Sequence, residues 1–500
     1  MTTVPDTAHL ETADAPSTLR RITLDPLSRV EGHGKVTLLL DEDGRVRQAR
    51  LHIVEFRGFE RFIQGRPWWE VPTLVQRLCG ICPVSHLLAA SKACDPFVLG
   101  TAPITPTALA LRRLLHYGQT LQSHALHFFH LSSPDLLFGF DDDVAHRNIA
   151  GVIQDHPEVA IWGVRIRKYG QEVIATLTGK RIHGTGSVPG GFNKALSVAD
   201  RDYLLKGVEQ IVARCHSALD GIRSRFLARQ PEYGEFGLIR SNFLSLVRAD
   251  GALELYDGGF RVKDPDGRLL LDHGDPQRYR DIIHEDVKSW TYMKFPYLLA
   301  LGPEAGWYRV GPLARVNNCD FITTPLAEAA RREFVSFGGG RPVQAPLAFH
   351  WARMIETLHC AEAIGEMLQD PVLTGTELMA TGEPLREGIG VVEAPRGTLF
   401  HHYRITPQDT IEKANLIVAT TGNNRAMNES VRSVAARYFD GRAITEGLLN
   451  RIEVAIRAYD PCLSCATHAV GRMPLIVEAV DADGNLVDRM VKSATGALTR

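Results

Sequence analysis

Two cysteine pairs stand near opposite ends of the chain: Cys79-Gly80-Ile81-Cys82, followed by Pro83 and His86, and Cys462-Leu463-Ser464-Cys465, preceded by Asp460-Pro461 and followed by His468. CxxC spacing puts two sulfurs on one side of a turn, and thiolate is the side chain that binds soft metals most strongly. Zinc ribbons bring such pairs within roughly 15–20 residues of each other, because the metal staples a small unit. Here most of the chain intervenes, so a shared metal would join two ends of a large folded body. From the spacing alone three readings stand: a catalytic thiolate-bound metal, structural zinc, or redox and incidental cysteines.

Elements able to hold two distant loops face to face must lie between them. The 500 residues carry a net charge of −2 and are 44% hydrophobic, enough for two or three packed units and without a charge bias toward nucleic acid or an anionic membrane. No apolar run is long enough to span a bilayer. Arg20-Arg21 precedes no apolar h-region, which argues against a twin-arginine export signal. Eight cysteines are too few for a disulfide scaffold in so long a chain, and free thiolates suit a reducing compartment. Cys94, Cys215, Cys319 and Cys360 are isolated and are expected as small buried hydrophobes.

Residues 1–19 are polar and predicted to be disordered. Strands are expected at 22–24, 34–40 and 46–54 as a small antiparallel sheet, with Glu31 on the loop entering it. Helical periodicity runs over 72–93 (interrupted near Gly80 and Pro83), 106–131, 150–178, 198–230, 325–368 and 427–460. Residues 231–320 read as an inserted α+β region, 388–403 as strand and loop, and 474–480 with 486–491 as a terminal hairpin. The fold class is therefore α+β and predominantly helical: a long-helix core with small peripheral antiparallel sheets.

The words around the cysteines are more specific. Arg77-Leu78-Cys79-Gly80-Ile81-Cys82-Pro83-Val84-Ser85-His86 and the stretch from Asp460 to His468 resemble the two nickel-ligand motifs of [NiFe]-hydrogenase large subunits. Arg29-Val30-Glu31-Gly32-His33-Gly34, Glu393-Ala394-Pro395-Arg396-Gly397 and Ala414-Asn415-Leu416-Ile417-Val418-Ala419-Thr420-Thr421 resemble three further motifs of that family, in the expected order. The resemblance runs from about residue 21 to the end and is nearest to the soluble, NAD-linked bidirectional type.

It implies a large-subunit body over 20–468 and reversible heterolytic cleavage of H2 at a nickel–iron centre. Cys79, Cys82, Cys462 and Cys465 would hold nickel, with Cys82 and Cys465 bridging to an iron that carries carbon monoxide and cyanide. Arg396, Pro395 and Thr420 would line the pocket for those diatomic ligands, where Ala419 replaces a proline common in the family. The Cys462 thiolate or the Arg396 guanidine would take the proton, and Glu31 would pass it on. An arginine is ordinarily always protonated, which favours the thiolate. His86 would hydrogen-bond a cysteine sulfur. Glu60, the Leu416 carbonyl and His468 match a magnesium site.

The His124 and His127 rings, three residues apart, could share a helix face but are expected to pack beneath the site. Relatives of the membrane-linked branch tend to carry aspartate near the position of Ser123. Residues 469–500 match a C-terminal extension removed after His468 by a maturation endopeptidase once insertion factors have delivered nickel. No dinucleotide fingerprint or Walker loop occurs, since the glycines of 184–191 have the wrong spacing, and no further cysteines are spaced for an iron–sulfur cluster. NAD and clusters therefore belong to other chains: diaphorase subunits and an iron–sulfur small subunit, in a cytoplasmic complex. Coupling to another electron acceptor, or a non-catalytic thiolate–metal relative, are the competing readings.

Overall fold

Helix α2 (Pro106–Leu126) follows α1 (Pro83–Cys94) and forms the spine of the molecule. Thr105 caps α2 by accepting from the Ala108 N–H (3.2 Å), and Pro106 occupies its first turn, where no donor is lost. Leu111, Leu114, Leu115 and Leu121 form its buried stripe. Against α2 pack α3 (Pro157–Thr178) and, beyond α4 (Val198–Ala228), α5 (Ala348–Met367). The computed structural model describes residues 27–53, 58–288, 290–439 and 445–463, and the backbone of strands 20–25, 475–480, 486–492 and 498–499. It is about 51% helical with small sheets around the helices, as the sequence predicts.

The α2–α3 crossing is close because glycines meet there. A Cβ on Gly170 would lie 2.7 Å from the Gly118 carbonyl oxygen and 2.9 Å from the Gln122 backbone nitrogen. Overpacking of this kind costs about 1–3 kcal/mol. Gly170→Ala is accordingly expected to lower the urea midpoint of unfolding. It is also expected to loosen the Gln122 contact to the first cysteine loop described below.

Several helices expected as single runs are divided. The 325–368 pattern becomes Pro325–Phe337 and α5, because Gly338-Gly339-Gly340 and Pro342 interrupt it, with Gly339 and Gly340 at positive φ. The 427–460 pattern becomes Asn424–Tyr438 and α6 (Glu446–Arg457), and Pro157 separates Ile149–Asp155 from α3. Helix α2 continues as a π-helical turn, His127–Ser132, and then as Ser133–Phe138.

The N-terminal sheet is larger than expected. Strands β1 (Arg20–Asp25), β2 (Gly34–Leu40) and β3 (Val46–Ile53) are joined on the β1 side by Leu475–Val480, Leu486–Lys492 and Leu498–Thr499, giving six strands. The terminal hairpin of the sequence reading is thus present, but paired across the chain to β1. Within 231–320, strands Asn242–Val247, Gly259–Lys263 and Leu269–Gly274 form a four-stranded sheet with Tyr308–Arg309. Strands β4 (Glu387–Ala394), β5 (Gly397–Ile405) and β6 (Ile411–Ile417) form a third sheet. The third of these strands was not legible in the sequence. The predicted disorder of 1–19 falls outside the described residues.

Candidate metal centre

Cys79 leaves a 3-10 turn (Gln76–Leu78) in extended conformation, and Cys82 is the residue before the first turn of α1. A helix N-terminus favours negative charge, and the Cys82 N–H donates to Cys79 Sγ at 2.9 Å. The loop is tied to the helical core through Ile81, whose carbonyl accepts from Gln119 Nε2 (2.9 Å) and Gln122 Nε2 (2.7 Å) on α2.

The second cysteine loop follows α6. Asp460 adopts φ +53°, a turn that few non-glycine residues make, and so redirects the chain toward the first loop. The Cys462 N–H donates to Thr420 Oγ1 (3.0 Å), and the Leu463 N–H donates to the Glu31 carbonyl (2.8 Å), so that Glu31 and Cys462 lie side by side as a parallel bridge.

These ties bring opposite ends of the chain together: Cys79 Sγ lies 3.2 Å from Cys462 Sγ, and the Cys79, Cys82 and Cys462 sulfurs all fall within 4.8 Å of one another. In the structure Cys79 and Cys82 are paired with each other, so metal ligation requires both as thiolates. Thiolates about 2.3 Å from a common metal sit roughly 3–4 Å apart, a spacing that the Cys79–Cys462 pair meets at 3.2 Å and that the bonded Cys79–Cys82 pair reaches only once reduced. Cys465 and His468 lie outside the described residues. The other thiols, at Cys94, Cys215, Cys319 and Cys360, are buried, and burial pushes each of them up in pKa, which leaves them protonated and inert, as expected from the sequence.

Arg396 lies beside the sulfurs. Its Nε donates to the Asp460 carbonyl (2.7 Å), one terminal nitrogen to Asp460 Oδ1 (2.9 Å) and the other to Ser123 Oγ (3.2 Å). Burial works against its charge, but the Asp460 carboxylate, then Cys462 and Glu31, more than offset that and hold it protonated. Thr420 and Glu31 are both at the site, and Pro395 precedes Arg396 in the chain, its carbonyl accepting from Arg315 (3.2 Å). His86 lines the same cavity of about 280 Å³ as Cys462, Thr420, Glu60, Leu416 and Lys294. Glu60 reaches Leu416, accepting from its N–H at 2.8 Å, and Lys294 pairs with Glu285 at 3.0 Å beside it. Neither Lys294 nor Glu285 sits in a recognisable sequence word, so nothing local marked them.

Beneath this layer lies a charged cluster with no motif of its own. Arg315 is fully buried and binds Glu356 through two nitrogens (2.5 and 2.7 Å), Glu393 (2.7 Å) and the carbonyl of Ala394 (3.0 Å). It therefore holds the segment that carries Arg396. His124 Nε2 donates to Glu356 at 3.0 Å, and His127 Nε2 to the Arg457 carbonyl at 2.7 Å, so both histidines pack and hydrogen-bond under the site as expected.

Burial lowers His116, His124 and His359 to about 4 each. These rings stay neutral in the fold, whereas in the unfolded chain they take up protons below roughly 6.5. The unfolded state then binds more protons, so stability falls as pH drops from 6.5 toward 4. Glu356, held at about 2 by Arg315 against burial, extends the loss below its unfolded value of about 4.5. Urea midpoints are expected to decline steadily from pH 7 to pH 4.

A family described as nickel-dependent hydrogenase matches residues 57–139 and 275–468, and a HoxL-like family matches residues 21–56. The chain is similar to the NAD-reducing hydrogenase HoxS subunit beta of Cupriavidus necator, at 47% identity over 487 residues, 95% of this chain and 100% of that one. It is similar to an F420-non-reducing hydrogenase chain of Methanothermobacter thermautotrophicus at 40% identity, covering 94% and 100%. Its structure matches that of an NAD+-reducing [NiFe]-hydrogenase in the H2-reduced state with a TM-score of 0.87 and 55% identity, over 90% of this chain and 99% of that one. A [NiFeSe]-hydrogenase from Dm. baculatum shares the fold, with a TM-score of 0.70 at 24% identity over 90% and 99%. Ordered motifs, converging sulfurs and these likenesses agree: the chain belongs to the nickel-dependent hydrogenases and is a catalytic [NiFe]-hydrogenase large subunit.

Proposed function

We propose that this subunit carries out reversible heterolytic cleavage of H2 and passes the electrons through an iron–sulfur small subunit, then diaphorase subunits, to NAD. The observation that carries the reading is the meeting of Cys79, Cys82 and Cys462 from opposite ends of the chain. With Cys465, these residues would hold the nickel, and Cys82 and Cys465 would also hold an iron that would carry carbon monoxide and cyanide. When bound, the centre supplies the Lewis acidity that makes H2 acidic enough to split.

The chain's own groups do the rest. Cys462 Sγ takes the proton, because Arg396, held protonated by its neighbours, cannot accept one. Instead Arg396, fixed through Asp460 and Ser123, closes one side of the site and presents a fixed positive charge there. Glu31, buried and adjacent to Cys462, receives the proton next and carries it away. Pro395, Arg396 and Thr420 line the pocket for the diatomic ligands. His86 hydrogen-bonds a cysteine sulfur. Glu60 and the Leu416 carbonyl, with His468, hold magnesium, a hard cation suited to oxygen donors.

The body of the subunit spans 20–468, with an α+β insertion at about 231–320. Residues 469–500 are removed by an endopeptidase after nickel insertion, so the mature chain ends at His468. Among the described residues no helix is long and apolar enough to cross a membrane, in keeping with a cytoplasmic complex. Identity to NAD-reducing relatives exceeds that to F420-non-reducing ones, which supports NAD over another acceptor.

The assembled complex purified from its native expression context tests this directly. Nickel and iron near one each at the centre, infrared bands of metal-bound carbon monoxide and cyanide, H2-dependent NAD+ reduction and an intact mass ending at His468 are expected. Zinc alone, without those bands, would overturn the reading.

A further inference from the structure

We propose that His401 and Tyr403 form a tautomer lock that makes His86 present an N–H, not a lone pair, to the metal cavity. This rests on the reading of that cavity as the nickel–iron site. His86 stands on α1, one turn past Cys82, while His401 and Tyr403 share one face of β5, two residues apart. Helix α1 lies directly on this sheet: Cβ atoms on Gly388 and Gly390 would meet the Ala93 and Ala89 carbonyls at 2.0 and 2.1 Å. That close approach brings His86 Nδ1 to 3.1 Å from His401 Nε2, and on its other side His401 Nδ1 meets the Tyr403 hydroxyl. His401 and Tyr403 are completely buried and His86 nearly so.

A neutral imidazole has one donor nitrogen and one acceptor nitrogen, so the row can run in only two directions. Burial, together with the neighbouring His86, keeps His401 neutral, and burial holds the Tyr403 phenol protonated. Among the described residues His401 is the one hydrogen-bonding partner of the Tyr403 hydroxyl. If Tyr403 accepted from His401, its own buried hydrogen would be left without an acceptor, a costly arrangement. Tyr403 therefore donates to His401 Nδ1, and His401 Nε2–H donates to His86 Nδ1. His86 is left with its proton on Nε2, the ring nitrogen not facing His401, and the residue lines the cavity together with Cys462 and Thr420. The titratable groups lining that cavity from the other packed elements are, among the described residues, Glu60, Tyr292, Lys294 and Cys462. An N–H aimed at a thiolate sulfur or a cyanide nitrogen withdraws electron density from the metals. A bare nitrogen would repel either group.

Because the lock belongs to the protein and not to the metals, it can be read in the metal-free full chain. Histidine side-chain 15N spectra of that chain, with His86 and His401 assigned from single alanine variants, should show both rings protonated at Nε2. In Tyr403→Phe, which keeps the ring and removes the hydroxyl, His401 loses its donor and both rings should become tautomer mixtures. In the metal-loaded complex the same variant should shift the carbon monoxide and cyanide infrared bands and lower H2 turnover about 10-fold, in the range of outer-shell changes at metal sites. Wild-type protein with His86 protonated at Nδ1, or a Tyr403→Phe spectrum identical to wild type, would overturn the lock. Absence of the infrared bands from the wild-type complex would instead overturn the metal reading, leaving the tautomer result to stand by itself.

Discussion

Cys462→Ser is expected to yield a folded chain that retains no nickel and turns over hydrogen at least about 100-fold more slowly. Loss of an outer-shell partner alone typically costs about 10- to 100-fold at a metal site, and a ligand contributes more. A serine hydroxyl stays protonated near neutral pH and is a hard donor, so it replaces neither the charge nor the softness of the thiolate. The fold should survive, because what fixes this loop is backbone hydrogen bonding: the residue 462 N–H to Thr420 and the Leu463 N–H to the Glu31 carbonyl. Metal analysis beside circular dichroism separates the two outcomes. A variant retaining nickel at wild-type content would remove Cys462 from the ligand set. The same measurement on Cys79→Ser should give the same answer, since the two sulfurs face each other across 3.2 Å.

Arg315→Met is expected to be strongly destabilising. Methionine matches part of the volume but leaves two buried carboxylates, Glu356 and Glu393, without their shared cation. Removing one partner of a fully buried ion pair costs about 3–5 kcal/mol, because the other charge stays uncompensated. Here two are left. Exposed pairs of comparable geometry, such as Arg404 with Glu412, contribute about 0–1 kcal/mol, so Arg404→Met serves as the control. Arg315 also donates to the carbonyls of Ala394 and Pro395, so residual folded protein should position Arg396 poorly and lose activity beyond its loss of stability. An unfolding midpoint within error of wild type would show that Glu356 and Glu393 take up protons in place of the cation.

The chemistry of the protein was carried by the sequence itself. Residue type dictates which groups can bind a soft metal, and CxxC spacing forces two sulfurs onto one turn, so Cys79, Cys82, Cys462 and Cys465 stood out as candidate ligands, while only the resemblance of the words around them pointed to nickel. Helices with strong caps and leucine stripes, such as α2, were legible for the same local reason, as were the strands flanking Glu31. Local pattern could not say where a long periodic run breaks. The 325–368 helix divides because three glycines and a proline outweigh the flanking periodicity, and the β4–β6 sheet completes itself with a strand whose partners lie in other segments.

Tertiary structure alone decided what lies across from what. That Cys79 meets Cys462, that Arg396 reaches both Asp460 and Ser123, that Arg315 bridges Glu356 and Glu393, and that His86 abuts His401 are contacts between residues far apart in the chain. Such contacts are fixed by how helices and sheets pack, down to the glycines that let α1 lie against β4, and packing depends on the shapes of all the faces at once. Donor chemistry is a property of single residues and can be read one letter at a time. Mutual placement belongs to the whole core, and here it converts scattered cysteines, arginines and histidines into one site.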